Sequence, residues 1–151
     1  MIDIVLNPFT NFLFCTIMKE IVVCDVEITT FSGGMRSHVS VRGSFKEEKD
    51  GFTVSYLQDG DMVRLIAHGQ TLRMVRNGET SLTMTFAENM TGAMELRMGE
   101  NIGIVPIEME RCRINAVRDG WRLALRYRLH YTQECQIFHG NIAVKFISEE
   151  Q

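Results

Sequence analysis

Apolar and polar residues alternate in short runs along most of the chain after Met18. Alternation with a period of two is typical of a β-strand that buries one face. Turn dipeptides separate the runs at hairpin spacing. These dipeptides are Gly33-Gly34, Asp50-Gly51, Asp59-Gly60, Asn77-Gly78 and Asp119-Gly120. Because no long helical pattern interrupts the alternation, the sequence predicts an all-β protein built from antiparallel hairpins.

The alternating runs define a series of candidate strands. Their approximate bounds are 21–30, 37–47, 52–58, 62–68, 71–76, 80–86, 92–98, 102–118, 121–131 and 135–147. A meander of short antiparallel strands loses its exposed edges when it closes on itself, so we expect one up-and-down β-barrel of about 8–10 strands. The length of 151 residues fits a single domain.

The first seventeen residues do not follow this pattern. The segment "MIDIVLNPFTNFLFCTI" has no positively charged beginning, contains Asp3 and is interrupted by Asn7-Pro8, unlike a signal peptide. It is also too short to cross a membrane. We therefore expect residues 1–17 to be an extension outside a barrel formed by residues 18–151, and we expect a cytoplasmic protein without a membrane partner.

One hairpin places arginines on a single face. If "RCRINAVRDGWRLALRYR" folds at Asp119-Gly120, Arg113 lies opposite Arg126 and Arg111 lies opposite Arg128. Like charges that face each other across a strand pair are destabilising. This register therefore predicts two unfavourable pairs that some other interaction must offset.

The apolar phase of the strand before this turn shifts between Met109 and Cys112. A shift of one residue is typical of a β-bulge, so we expect one near Glu110-Arg111.

Charge makes the arginine face distinctive. The net charge is −3, which argues against attraction of the whole molecule to nucleic acid. Between Arg111 and Arg128, by contrast, there are six arginines and a single acid, Asp119. Guanidinium groups bind oxyanions through paired hydrogen bonds, so this face is a candidate site for an anionic small molecule or an acidic protein surface. The alternative is a solvated face with Glu88, Glu95 or Glu134 reaching over.

The barrel interior is the second candidate site. The residues predicted to point inward include Tyr56, Phe86, Trp121 and Tyr127. Their bulk favours a filled core, whereas a cavity among them would hold a small apolar ligand with the tyrosines as polar contacts.

Catalytic and metal-binding patterns are weak throughout. The four cysteines, Cys15, Cys24, Cys112 and Cys135, form no CxxC motif, so we expect reduced, buried thiols and no metal. None of the four histidines has a carboxylate or nucleophile in a recognisable arrangement. We therefore predict no cofactor and no catalysis, with an enzyme carrying an unrecognised site as the remaining alternative.

Several segments between about residues 22 and 147 resemble the YwiB-like bacterial proteins of unknown function. The segments are "VRGSF", "VSYL", "LRMVRNGETSLTMTF", "MGENIGIVPIEME", "DGWRLALRYRL" and "NIAVKF". The resemblance implies a calycin-like, lipocalin-related barrel and no established activity. The arginine face is not part of the family pattern, so its role would be particular to this chain.

The sequence as a whole predicts a non-catalytic binding or interaction module that docks an anionic ligand or acidic partner. The proposed site residues are Arg111, Arg113, Arg126 and Arg128. A carrier of a small apolar ligand in the barrel interior is the alternative. Nucleic acid is a less favoured partner because the arginine face has no exposed aromatic residues for base stacking.

Overall fold

The computed structural model describes residues 20–131 and 134–147. These residues form ten antiparallel strands. The strands are β1 (Ile21–Ser32), β2 (Met35–Glu48), β3 (Gly51–Gln58), β4 (Asp61–His68), β5 (Thr71–Asn77), β6 (Thr80–Ala87), β7 (Thr91–Met98), β8 (Asn101–Val117), β9 (Gly120–His130) and β10 (Cys135–Phe146). This confirms the predicted all-β class and the predicted strands.

Each strand pairs with the next strand in the chain, and β1 pairs with β10 to close the barrel. The closing register runs from Cys24 opposite Phe146 to Phe31 opposite His139. The predicted extension, residues 1–17, lies outside the described residues. The described part of the chain contains no helix that is long and apolar enough to span a membrane.

Alternate side chains of every strand point inward and form one core. Aromatic rings fill the barrel end at which the β2–β3 and β8–β9 turns lie. Phe45 lies 5.3 Å from Phe52 and 4.7 Å from Phe146, and Trp121 lies 4.7 Å from Phe52, between ring centroids. Close packing of large rings leaves no space for a ligand at this end.

The β8–β9 turn consists of Arg118 and Asp119, one residue earlier than predicted, because Val117 pairs with Gly120. Gly120 is therefore a strand residue, and its lack of a side chain allows the backbone of β10 to come close. A Cβ atom at Gly120 would lie 1.8 Å from the carbonyl oxygen of Val144 on β10. Only glycine permits so close an approach between two backbones.

The long strand β8 changes neighbours along its length. It pairs with β7 over residues 101–108 and with β9 over residues 107–117, with the predicted bulge between Met109 and Arg111. Past the bulge, the side chain of Gln70 forms hydrogen bonds with the backbone of β8 on the side where β7 no longer pairs with it. Its Nε2 donates to the carbonyl of Ile114 at 3.0 Å, and its Oε1 accepts from the Ile114 amide at 3.1 Å. A single side chain thus satisfies this stretch of strand edge.

Candidate functional site

The arginines of β8 and β9 lie on the outer face of the barrel, but not in the predicted pairs. Arg111 faces Arg126, whereas Arg113 faces Ala124. The predicted pairs of Arg113 with Arg126 and of Arg111 with Arg128 are therefore wrong. Each β8 residue past the bulge has a partner two positions earlier than predicted, and a shift of two keeps every side chain on its predicted face. One like-charged pair remains instead of two.

Glu110, the extra residue of the bulge, is the acid that partly offsets this charge. Its two carboxylate oxygens lie 2.8 Å from Arg126 Nε and 2.5 Å from Arg128 Nε. The hydrogen bond from Arg128 holds the pKa of Glu110 below its usual range, and the positive charge of Arg126 acts in the same direction. Glu110 in turn raises the pKa of Arg128. The phase shift predicted the bulge, but not the direction in which this side chain points.

Arg126 is buried at its Nε atom, and this N–H makes no hydrogen bond. The 2.8 Å contact with Glu110 is therefore an ion pair in which the N–H does not point at the carboxylate oxygen. A buried donor that is not aligned with an acceptor is costly.

The other arginines of this face differ in their partners. Arg113 Nε lies 3.4 Å from Glu88, in an exposed ion pair. Arg111 and Arg122 form no ion pair with any residue of the described ranges. Within the predicted quartet, Arg113, Arg126 and Arg128 thus have acidic partners. Arg111 has none among the described residues, and it lies opposite Arg126 in a cationic pair.

His139 of β10 joins this pair. It lies directly opposite Arg126, on the side away from Arg111, so the three side chains form a row across β8, β9 and β10. The row lines a pocket of about 430 Å³, with Glu110 and Asn141 also in its wall. Sequence reasoning missed His139, because its position depends on the register between β9 and β10.

A shallow groove extends this pocket along the outer face of the barrel. Ala124 and Asn141 belong both to the pocket and to an adjoining one of about 350 Å³. Arg122, Glu27 and Thr29 line this second part. The groove is therefore cationic at one end and of mixed charge further along, and small side chains keep it concave.

The interior candidates all point into the barrel. Tyr56 and Phe86 are buried, with 3% and 1% of their surface exposed. Trp121 and Tyr127 are half-buried and pack against the core. Tyr127 lies 5.1 Å from Phe86 between ring centroids. Burial raises the pKa of Tyr56 and of Tyr127 to about 12. These four residues are spread along the interior, and Tyr56 lines a cavity.

That cavity lies at the barrel mouth, the end formed by the β1–β2, β3–β4 and β5–β6 turns. Its volume is about 160 Å³, below the roughly 300–1,000 Å³ of pockets that hold drug-sized ligands. Apolar side chains form about half of its wall, and the polar residues of the wall are Thr30, Ser37, Tyr56, Gln58 and Arg76. Elsewhere in the described interior, core side chains from all ten strands pack into one cluster.

The cysteines and histidines of the described ranges differ in their surroundings, and Cys15 lies outside these ranges. Cys24 and Cys112 are buried, and burial raises the pKa of each thiol to about 11. Cys135 is exposed, so the prediction of a buried thiol is wrong at this position. No group of three or more His, Cys, Asp or Glu side chains suited to a metal ion occurs in residues 20–131 and 134–147. His130 does have a carboxylate partner, Glu108, at 3.1 Å, which the sequence did not reveal.

Comparisons with known proteins agree with this fold. A structural search finds the crystal structure of the ywiB protein from Bacillus subtilis, with a TM-score of 0.67 and 12% sequence identity, covering 86% of this chain and 94% of that chain. At that identity the likeness concerns the fold alone. A search of curated protein sequences finds no match. The model of one family matches residues 25–142, which is most of the chain. The chain therefore belongs to the family described as "Domain of unknown function (DUF1934)".

Proposed function

We propose that the protein is a non-catalytic binding module that docks an anionic group in the outer pocket formed by Arg111, Arg126 and His139. The observation that supports this proposal is a local excess of cations in a concave site. Arg111 lies directly opposite Arg126, and the one carboxylate beside them, Glu110, is shared with Arg128. The anionic group belongs to a small molecule or to an acidic side chain of a partner protein.

The energetics of the pair favour a bound anion. Two like charges directly across a strand pair destabilise it by something within the ~0.2–1 kcal/mol range of cross-strand terms. An oxyanion between Arg111 and Arg126 would replace this repulsion with charge-assisted hydrogen bonds. An exposed pair of arginines on a convex surface would gain less, because water would screen it on all sides.

Carriage of a larger apolar ligand in the barrel interior is less favoured than binding of an anion in the outer pocket. The cavity of about 160 Å³ lies at the mouth, and aromatic rings occupy the opposite end. The outer groove is larger, with about 430 Å³ beside the cationic row.

The melting temperature in sulfate and in chloride at equal ionic strength tests the proposal. A ligand at ten times its Kd stabilises the folded state by about 1.4 kcal/mol. For a chain of this size, that raises the melting temperature by roughly 3–6 °C. We expect sulfate to raise the melting temperature of the parent more than chloride does, because general screening is the same in both salts.

Two variants assign the effect to the pocket. Arg111→Gln should lose the sulfate response, yet be at least as stable as the parent in chloride because the like-charged pair is gone. Arg64→Gln removes an exposed arginine of β4 that is far from the pocket, and it should keep the full response. Equal responses to sulfate and chloride in the parent, or an unchanged sulfate response in Arg111→Gln, would contradict the proposal.

A further inference from the structure

The barrel mouth contains a second set of groups suited to a ligand, on the inside of the barrel and separate from the outer pocket. We infer that this mouth cavity binds a small monocarboxylate, whose apolar part fills the cavity and whose carboxylate accepts hydrogen bonds from Arg76 and Tyr56. The cavity measures about 160 Å³ and includes both residues in its wall.

The apolar wall sets the size of the ligand. The wall includes Ile28, Val63, Met74 and Leu82, all on inward-facing positions. A cavity of about 150 Å³ with such a lining holds a molecule as large as benzene. The apolar part is therefore a single ring or a short branched chain.

Arg76 is the cation of the site, and its place in the strand is unusual. It follows Leu72 and Met74 at alternate positions of β5, so it occupies the next inward-facing position, where a core strand would carry an apolar residue. Its Nε donates to Asp61 at 2.8 Å, and its Nη2 donates to the carbonyl of Gln58 at 3.4 Å. An arginine carries five N–H donors, so three have no acceptor among the described residues.

Asp61 holds the guanidinium in place. Its carboxylate packs against the backbone of Gly78 so closely that a Cβ atom there would lie 2.0 Å from Asp61 Oδ1. The side chain of Arg76 is only 30% exposed and that of Asp61 28% exposed, so neither is free to turn into solvent. A fixed guanidinium loses little conformational entropy when it binds a carboxylate.

Tyr56 supplies the second donor. It is 3% exposed, and its hydroxyl makes no hydrogen bond to another residue of the described ranges. Tyr56 lies opposite Val63, and Val63 lies opposite Arg76, so the two polar side chains stand in one row across β3, β4 and β5 and line the same cavity. Burial raises the pKa of Tyr56 to about 12, and the charge of Arg76 opposes this shift. The phenol therefore stays protonated at neutral pH and can donate to an acceptor at the mouth.

The charge of the site favours a monoanion. Asp61 already balances much of the charge of Arg76, so each added negative charge must be desolvated beside apolar walls, and a dianion such as phosphate costs more than a monoanion. A carboxylate adds one charge and satisfies the unused N–H groups of Arg76. This preference separates the mouth from the outer pocket, where two arginines and a histidine lie together.

Binding of benzoate, measured by isothermal titration calorimetry, tests the inference. We expect benzoate to bind the parent at least tenfold more tightly than benzyl alcohol, a neutral molecule of nearly the same shape. Arg76→Met should weaken benzoate binding at least tenfold. The matched control is Arg73→Met, on the same strand but outward-facing and exposed, and it should bind benzoate as the parent does.

A cavity-filling variant tests the location without removing the Arg76–Asp61 ion pair. Leu82→Trp places a larger ring in the cavity, and it should abolish benzoate binding while circular dichroism shows the barrel intact. Arg111→Gln should bind benzoate normally, so a failure of the outer pocket and a failure of the mouth site give different results. The inference is overturned if the parent does not bind benzoate, if benzyl alcohol binds equally well, or if folded Leu82→Trp retains binding.

Discussion

The side chain of Gln70 should carry a measurable part of the stability of the barrel, because it occupies the edge of β8 where no strand lies. It makes two hydrogen bonds to the backbone of Ile114, which is 3% exposed. Each such bond contributes about 0.5–1.5 kcal/mol net, so Gln70→Ala should lower the free energy of unfolding by about 2 kcal/mol. This corresponds to a fall in melting temperature of roughly 4–8 °C.

Urea denaturation followed by tryptophan fluorescence measures the change, since the chain has a single tryptophan. Gln136→Ala is the matched control, because Gln136 donates only to the exposed Ser32 hydroxyl at 2.9 Å, and its loss should cost less than about 0.5 kcal/mol. Gln70→Glu keeps the acceptor for the Ile114 amide but places a carboxylate oxygen against the Ile114 carbonyl oxygen, and this repulsion should make it destabilise at least as much as Gln70→Ala. The reasoning is refuted if Gln70→Ala and Gln136→Ala have the same free energy of unfolding.

Two further predictions concern the glycine at the start of β9 and the reactivity of the cysteines. Gly120→Ala would place a Cβ atom 1.8 Å from a carbonyl oxygen, so it should lower the free energy of unfolding by at least about 3 kcal/mol. Gly99→Ala lies at a turn with a φ of 62° and open space, so it should lower that free energy by about 1–2 kcal/mol. Thermal denaturation of the two variants measures the difference. Equal costs would show that Gly120 is a turn residue after all. Burial raises the pKa of Cys112 to about 11, so on the order of 0.1% of this thiol is thiolate at pH 8. Iodoacetamide should therefore label the exposed Cys135 long before Cys112, as followed by peptide mass spectrometry. Labelling of Cys112 at a similar rate would mean that the barrel opens readily.

The strands were predictable because their signals are local. Alternation and turn dipeptides specify where a strand begins and ends, and the phase shift after Met109 located the bulge. The register of β8 and β9 was not predictable from the same signals. Asp119-Gly120 is a favoured turn pair, but Gly120 is required by Val144 of a strand that follows much later in the chain.

The candidate site was only partly predictable for a similar reason. The excess of arginines is visible in the sequence, and so is their common face. The pairing of Arg111 with Arg126 follows from the turn, the direction of Glu110 follows from the bulge, and the position of His139 follows from a neighbouring strand. Each of these depends on backbone geometry or on residues distant in the chain, which composition and spacing do not contain.

The most direct test of the outer anion site is the Nε–H signal of Arg126 in ¹H–¹⁵N spectra during a titration with phosphate. This N–H has no hydrogen bond in the free protein and lies in the wall of the proposed site. The account predicts a saturable shift of the Arg126 Nε–H and Arg111 Nε–H signals at constant ionic strength, with no comparable shift for Arg64. Unchanged Arg111 and Arg126 signals, or equal shifts at all exposed arginines, would contradict it.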